Sequence, residues 1–369
     1  MIFTGRLLWA EAPDADSSWV EGAWRIDEGI IRRANGNETA DMSGYAIPGL
    51  ADSHAHIAIG ADGPVDRAQQ ERHLLAQRRT GVLALRDCGS PLDTSWADQR
   101  DDLPRVVRSG AHIARPMRYL RGLPVEVEDP RDLPDEVARQ AEDSNGWVKL
   151  VGDWIDRSKG ADSDLDPLWP GEALTDAVAA AHEAGARVAV HAFGHGVIDS
   201  LLEAGVDDIE HGTGMDEDQA LEAARRGIIV TPTALQAELF SGFAAQAGRK
   251  YPAYASTMMR MYEGRREHFA MLRDAGVTLV MGTDSGGYQA HGTMGSELAL
   301  WSQLGVPASE IIDIATWRTR RALDLPSLFE GAPADLLIYW EDPRGDASLI
   351  ASPSRIILAG RETGSVDVS

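Results

Sequence analysis

The stretch Pro48-Gly49-Leu50-Ala51-Asp52-Ser53-His54-Ala55-His56 carries two histidines separated by one residue. In an extended strand, alternate side chains point the same way, so His54 and His56 would present two imidazoles to one point. Neutral imidazole is the commonest metal ligand among side chains. Two surface histidines near a strand end would give the same spacing. Four further residues bear on the choice. Lys149 lies within the apolar run Trp147-Val148-Lys149-Leu150-Val151, His191 ends Val188-Ala189-Val190-His191, His211 follows Asp207-Asp208-Ile209-Glu210, and Asp284 ends Leu279-Val280-Met281-Gly282-Thr283-Asp284. Each sits on a predicted strand or at its end. Taken alone, the strand lysine reads equally as a snorkelling side chain or the partner of a carboxylate.

Such residues meet only if the elements between them converge. The middle of the chain alternates between β-prone and amphipathic stretches. Strands are predicted over 45–52, 82–87, 105–113, 147–151, 187–191, 207–210, 228–231 and 278–282. Helices are predicted over 67–79, 134–144, 171–184, 196–203, 217–226 and 253–274, with a further pair over 295–303 and 307–323. Eight strands alternating with helices favour a parallel (β/α)₈ barrel of the TIM type, whose strand ends converge on the face where active sites form. A doubly wound open sheet is the competitor, weakened by the lack of a glycine-rich dinucleotide fingerprint. Both termini read as short strands, 2–4, 6–9, 18–26 and 29–32 at one end, 335–340 and 355–358 at the other. The expected organisation is a small β-sandwich module built from 1–46 plus 326–369 around a barrel of 47–325.

Composition narrows the partners. The 369 residues carry a formal net charge of −23, spread along the chain rather than gathered in a tail. A solvated acidic surface of this kind repels phosphates and anionic membranes, so neither nucleic acid nor membrane is expected as a partner. The single cysteine, Cys88, excludes an intramolecular disulfide and suits a reducing compartment. Neither a leader pattern nor an apolar run of membrane-spanning length stands out, so the expected location is the cytoplasm. A homo-oligomer is compatible with all of this.

The segments that carry these residues resemble the amidohydrolase superfamily, in particular its prolidase-like and imidazolonepropionase-like branch. The match rests on Pro48 to His56, Gly81-Val82-Leu83-Ala84-Leu85-Arg86-Asp87-Cys88-Gly89, His191 with Ile209-Glu210-His211-Gly212, and Gly282-Thr283-Asp284. Ala332-Pro333-Ala334-Asp335-Leu336-Leu337 resembles the family's return to its small β module. The resemblance implies that His54, His56 and Asp284 hold one divalent metal and that His191 and His211 hold a second. Lys149, carboxylated by CO₂, would bridge them. A metal-bridging hydroxide would attack the scissile carbonyl, and Asp284 would carry its proton to the leaving amine. This donor set suits Zn²⁺, with Mn²⁺, Co²⁺ and Fe²⁺ as competitors.

The implied reaction is hydrolysis of a C–N amide bond in a small substrate: an N-acyl amino acid, a dipeptide or a cyclic amide. The alternative is a mononuclear enzyme of imidazolonepropionase or deaminase type with Lys149 unmodified. A catalytically silent barrel is the non-enzymatic reading, disfavoured because all six ligand positions are filled. For substrate contacts the sequence offers His291, just after the last strand, and Arg118, Tyr119 and Arg121 in the loop after the third, where arginines could pair with a carboxylate. Thr233, Gln236 and Glu238 lie in the loop after the seventh strand. His195 and His182 read as surface or capping residues, no role is assigned to His73, His112 or His268, and Cys88 reads as buried packing.

Overall fold

The computed structural model describes residues 1–34 and 38–363. Strands from both ends join one continuous seven-stranded sheet in the order Arg361–Thr363, Arg355–Leu358, Leu336–Tyr339, Met42–Pro48, Ile2–Trp9, Ser18–Asp27, Ile30–Arg33. Alternation along each strand gives this sheet a core on both faces. Leu336 and Ile338 pack with Phe3, Leu7 and Trp24 on one side, whereas Leu337 and Tyr339 join the large central core on the other. Residues 364–369, included in the expected terminal module, lie outside the described residues.

The middle of the chain forms two parallel sheets. One has the order Leu50–Ala55, Val82–Asp87, Arg105–Arg108; the other runs Val125–Glu126, His112–Ala114, Trp147–Val151, Arg187–Ala192, Asp208–His211, Ile229–Thr231, Thr278–Leu279. The strand expected over 105–113 therefore contributes one half to each sheet. It breaks at Gly110, whose φ is +66° and where a Cβ would lie 2.5 Å from the Gln140 side-chain oxygen. At the opposite edge, Ser53 N–H donates to the Met281 carbonyl at 2.7 Å, Asp284 N–H to that of His54 at 2.8 Å, and His56 N–H to that of Ser285 at 2.7 Å. Backbone hydrogen bonds thus tie the segment bearing Asp284 directly to the one bearing the two histidines.

Other elements also differ from expectation. The strand expected over 45–52 splits at Gly49, where the chain leaves the terminal sheet and enters a parallel one; a Cβ there would sit 2.5 Å from Leu83 Cδ1. The helix expected over 307–323 is interrupted by a π-helical turn at Ile314–Arg318. There the Thr319 hydroxyl donates to the Ile314 carbonyl at 2.6 Å and accepts from Met281 N–H at 2.9 Å. Helices Ala234–Glu238 and Phe240–Ala247 were not anticipated; they fill the stretch between Ile229–Thr231 and the long helix Pro252–Asp274. Where expectation held, the local signals agree. Glu217–Arg226 starts at a capping box formed by Asp216 and Gln219 and stops at Gly227 with φ +72°. Among the described residues no helix is long and apolar enough to cross a membrane.

The interior beside the parallel strands is not purely apolar. Arg86, Lys149, Asp208 and Glu210 are all fully buried there. Arg86 bonds Asp208 and reaches Glu210 Oε1 at 3.3 Å, with its guanidinium carbon 4.3 Å from the Trp147 ring. Thr231 donates to Asp208 at 2.9 Å, and Lys149 Nζ pairs with Glu210 Oε2. Two cations thus face two carboxylates in a water-excluded volume. Removing one member leaves an uncompensated charge at a cost of several kcal/mol. Arg86→Leu is therefore expected to destabilise the fold by about 3–5 kcal/mol, read from denaturant unfolding. Removing the exposed Arg361–Asp101 pair should leave the midpoint unchanged, and equal effects would contradict a charge-balanced interior.

Candidate metal centre

Three donor atoms converge at the end of the first parallel strand. His54 Nε2, His56 Nε2 and Asp284 Oδ1 lie 3.2 Å from one another in every pairing. Tetrahedral donors bonded to a zinc-sized ion at ~2.0–2.2 Å would stand about 3.4 Å apart, so the three are spaced as ligands of one ion. A second pair lies beside them, His191 Nδ1 and His211 Nε2 at 3.1 Å. The His54 and His211 ring centres are 5.0 Å apart, which joins the two groups into one site. His211 and Asp284 hold left-handed backbones, φ +66° and +55°. Such conformations cost of order 1–3 kcal/mol each in non-glycine residues and gather at functional sites.

Contacts at Nδ1 orient two of the rings, those of His56 and His211. His56 Nδ1 is 3.4 Å from the Gly89 carbonyl, and His211 Nδ1 is 2.7 Å from Thr233 Oγ1. With Nδ1 engaged in this way, Nε2 is left with a free lone pair. His54 Nδ1 lies 3.7 Å from Glu210 Oε2, and His191 Nε2 lies 3.8 Å from Asp153 Oδ1. Asp52 ties the inner segments together. It accepts from the backbone N–H of His54 at 3.1 Å and of Thr283 at 3.0 Å, and from the Thr283 hydroxyl at 2.6 Å.

The electrostatics favour ligating protonation states. Burial holds His54 down at about 3 and keeps His191 and His211 well below the ordinary imidazole value, so all three are neutral at pH 7. For Asp284, burial alone would raise the carboxyl, but the adjoining His54 and His56 hold it well below the usual carboxylate range. Burial, helped by Arg86, lowers Lys149 to about 8. A lysine in that range sheds its proton far more readily than an exposed one, which makes a neutral amine accessible. The donors present fit divalent metals: neutral imidazoles, one ionised carboxylate, and a lysine beside them.

The structure brings His54, His56, Lys149, His191, His211 and Asp284 together, since Lys149 touches Glu210 and Glu210 lies against His54. It does not do the same for all the proposed substrate contacts. Tyr119 lines a cavity of about 250 Å³ that reaches His56, His191, His211 and Asp284. Arg118 instead pairs with Asp156 at 3.2 Å and donates to the Trp154 and Asp166 carbonyls, so its charge is consumed in holding a hairpin. Arg121 is exposed and does not line the cavity. His291 stacks on His73, ring centres 4.0 Å apart, and does not line the cavity. Of the later loop, Gln236 lines the cavity, Thr233 holds His211, and Glu238 pairs with Arg265 at 2.6 Å.

Two site residues were missed from the sequence. Glu210 was read only as part of a motif, although a carboxylate beside Ile209 on an apolar strand was a usable signal. His112 was assigned nothing. It is fully buried, paired in register with Lys149, and stacked on His56 with ring centres 5.1 Å apart. Both its ring nitrogens lack a partner among the described residues. Cys88 packs as expected, with Sγ 3.2 Å from Arg86 Nε.

Comparison with known proteins identifies the family. The sequence profile of the amidohydrolase family matches residues 45–353. Uncharacterized proteins of Mycobacterium tuberculosis and Mycobacterium bovis are 43% identical over 342 residues, covering 92% of this chain and 91% of theirs. Among solved structures, a Xaa-Pro dipeptidase with methionine bound in its active site superposes with a TM-score of 0.81 at 24% identity, over 99% of both chains. Ochratoxinase of A. niger superposes at 0.78 and 19% identity, over 100% of this chain and 96% of its own. The family match spans the segments that carry the converging histidines, the lysine and the aspartate: the chain belongs to the amidohydrolase family.

Proposed function

We propose that this protein is a binuclear metal-dependent amidohydrolase that cleaves a C–N amide bond in a small substrate, an N-acyl amino acid, a dipeptide or a cyclic amide. The observation that carries the reading is the adjacency of two ligand groups, His54–His56–Asp284 and His191–His211, with Lys149 beside them. The parallel strands are read as one (β/α)₈ barrel whose strand ends present these groups. Residues 1–46 and 326–369 are read as the supporting β-sandwich module around a barrel of 47–325. Zn²⁺ is the metal best suited to the donors.

A divalent metal pair would supply a water of lowered pKa and a Lewis acid for the carbonyl. The chain's own residues do the rest. Asp284, ionised and exposed to the cavity, takes a proton from the attacking water and delivers it to the departing amine. Lys149, readily deprotonated in its buried setting, could add CO₂ with release of one proton, and the resulting carbamate would be available to the metals as an anionic ligand.

One observation favours a second reading. The Lys149–Glu210 ion pair would hold the lysine as an ammonium, leaving a single metal on His54, His56 and Asp284. Metal content separates the two: near two equivalents per chain supports the binuclear reading, near one supports the other.

Lys149→Ala is expected to lose most bound metal and most amidase activity, with partial rescue by bicarbonate and a short-chain acid. Metal content equal to wild type would remove the bridging role. Asp284→Asn is expected to retain much of the metal while turnover falls by roughly 10²–10⁴-fold, and wild-type turnover would exclude Asp284 from proton transfer.

A further inference from the structure

The cavity beside the metal ligands carries one side-chain amide whose two ends can be told apart. Gln236 and Gln289 meet there, with Gln289 Nε2 lying 3.1 Å from Gln236 Oε1 and 3.0 Å from the Thr283 carbonyl oxygen. A backbone carbonyl only accepts, so the Gln289 atom against it is the NH₂. That same NH₂ faces Gln236, which must therefore offer its oxygen. The NH₂ of Gln236 is the end left over. It makes no hydrogen bond among the described residues, and it is not sealed off either, so it keeps open surface. Gln236 lines the cavity together with His56, His191, His211 and Asp284. A fixed N–H donor is thus offered to the space where the substrate must lie.

Both glutamines are held by their backbones. Gln236 sits on the helical turn Ala234–Glu238, where the two oxygens of the fully buried Glu297 accept from Ala234 N–H at 2.7 Å and Leu235 N–H at 2.9 Å. Thr233, which precedes that turn, holds His211 through its hydroxyl at 2.7 Å. Gln289 closes a tight turn, its carbonyl accepting from Gly286 N–H at 2.8 Å. The turn follows directly on Ser285, whose carbonyl accepts from His56 N–H at 2.7 Å. The donor is therefore anchored to the segments that carry His56 and His211, and its position relative to them is preset.

Resting on the amidohydrolase reading, we propose that Gln236, aimed by Gln289, selects amides that carry a second, uncharged acceptor on the amine side of the bond that is cut: a peptide, carboxamide or ester carbonyl. The side follows from the chain. The glutamine pair hangs on Thr283, next to Asp284, and Asp284 is the group that faces the departing amine. The charge follows from the donor. An amide N–H has no net charge, so a carboxylate brought to it would lose hydration without gaining a counter-charge. Among the described lining residues the one guanidinium, that of Arg157, is exposed on the turn Arg157–Asp162 and stays in water. A substrate without the acceptor would displace water from the Gln236 NH₂ and leave it unpaired, which is the stronger form of discrimination available to a neutral site.

The test uses the metal-loaded protein with three compounds that share one acetyl amide bond: N-acetyl-L-phenylalaninamide, N-acetyl-L-phenylalanine and N-acetylphenethylamine. Wild type is expected to favour the carboxamide over both others, by roughly 10- to 100-fold in kcat/KM against the phenethylamine. Gln236→Leu is expected to bring that ratio to within about threefold at unchanged metal content, and Gln289→Leu to lower it part of the way. Calorimetry should show the same loss in binding of L-phenylalaninamide and none in binding of phenethylamine. A carboxamide preference that survives Gln236→Leu, no such preference in wild type, or a preference for the free acid would overturn the selector while leaving the hydrolase intact. Should none of the three be cleaved, L-phenylalaninamide binding weakened by Gln236→Leu would keep the donor and count against amide hydrolysis, whereas binding absent or unchanged by the substitution would end both.

Discussion

Burying the ammonium of Lys149 requires the chain to solve an electrostatic problem before any chemistry is possible. A charge with no solvent access must be neutralised, paired, or chemically converted. Here Glu210 pairs with it, Arg86 balances the additional carboxylate, Asp208 balances Arg86, and Thr231 completes the bonding of Asp208. Those residues come from four different parallel strands. The network therefore fixes the relative height of the strands that carry the candidate ligands, and an error in register would strand a charge. The same arrangement leaves Lys149 poised between two uses, counter-ion of Glu210 or carrier of a carbamate.

Around that interior, the ligands are held by contacts of longer reach. Asp52 binds the backbone of His54 and of Thr283 together, so the first and last parallel segments share one carboxylate. Gly282 permits the closeness, since a Cβ there would lie 2.4 Å from Thr231 Cγ2 and 2.9 Å from His54 Cβ. The left-handed backbones at His211 and Asp284 are sustained by this over-determined packing.

The sequence made the converging histidines, Lys149 and Asp284 legible because their signals are local. A histidine pair at strand spacing, and single polar residues closing apolar runs, can be read without knowing what lies across the fold. The alternation of strands and helices was legible for the same reason. Glu210 and Arg86 were not read as interior residues because their meaning depends on each other, more than a hundred positions apart. Arg118 lies in an irregular segment where no periodicity says that its guanidinium is already engaged. The fold's breaks at Gly49 and Gly110 were missed because only the neighbours Leu83 and Gln140 make a side chain impossible there.

The strand Leu336–Tyr339 belongs to two cores at once, with alternate residues serving each. It also follows every parallel strand in chain order. Until it docks, the central core lacks Leu337 and Tyr339, and the first strands of the protein lack a neighbour beyond Met42–Pro48. Synthesis from the amino end therefore cannot finish the core behind the parallel strands before this strand is made. Maturation of the two cores is tied to the docking of one strand.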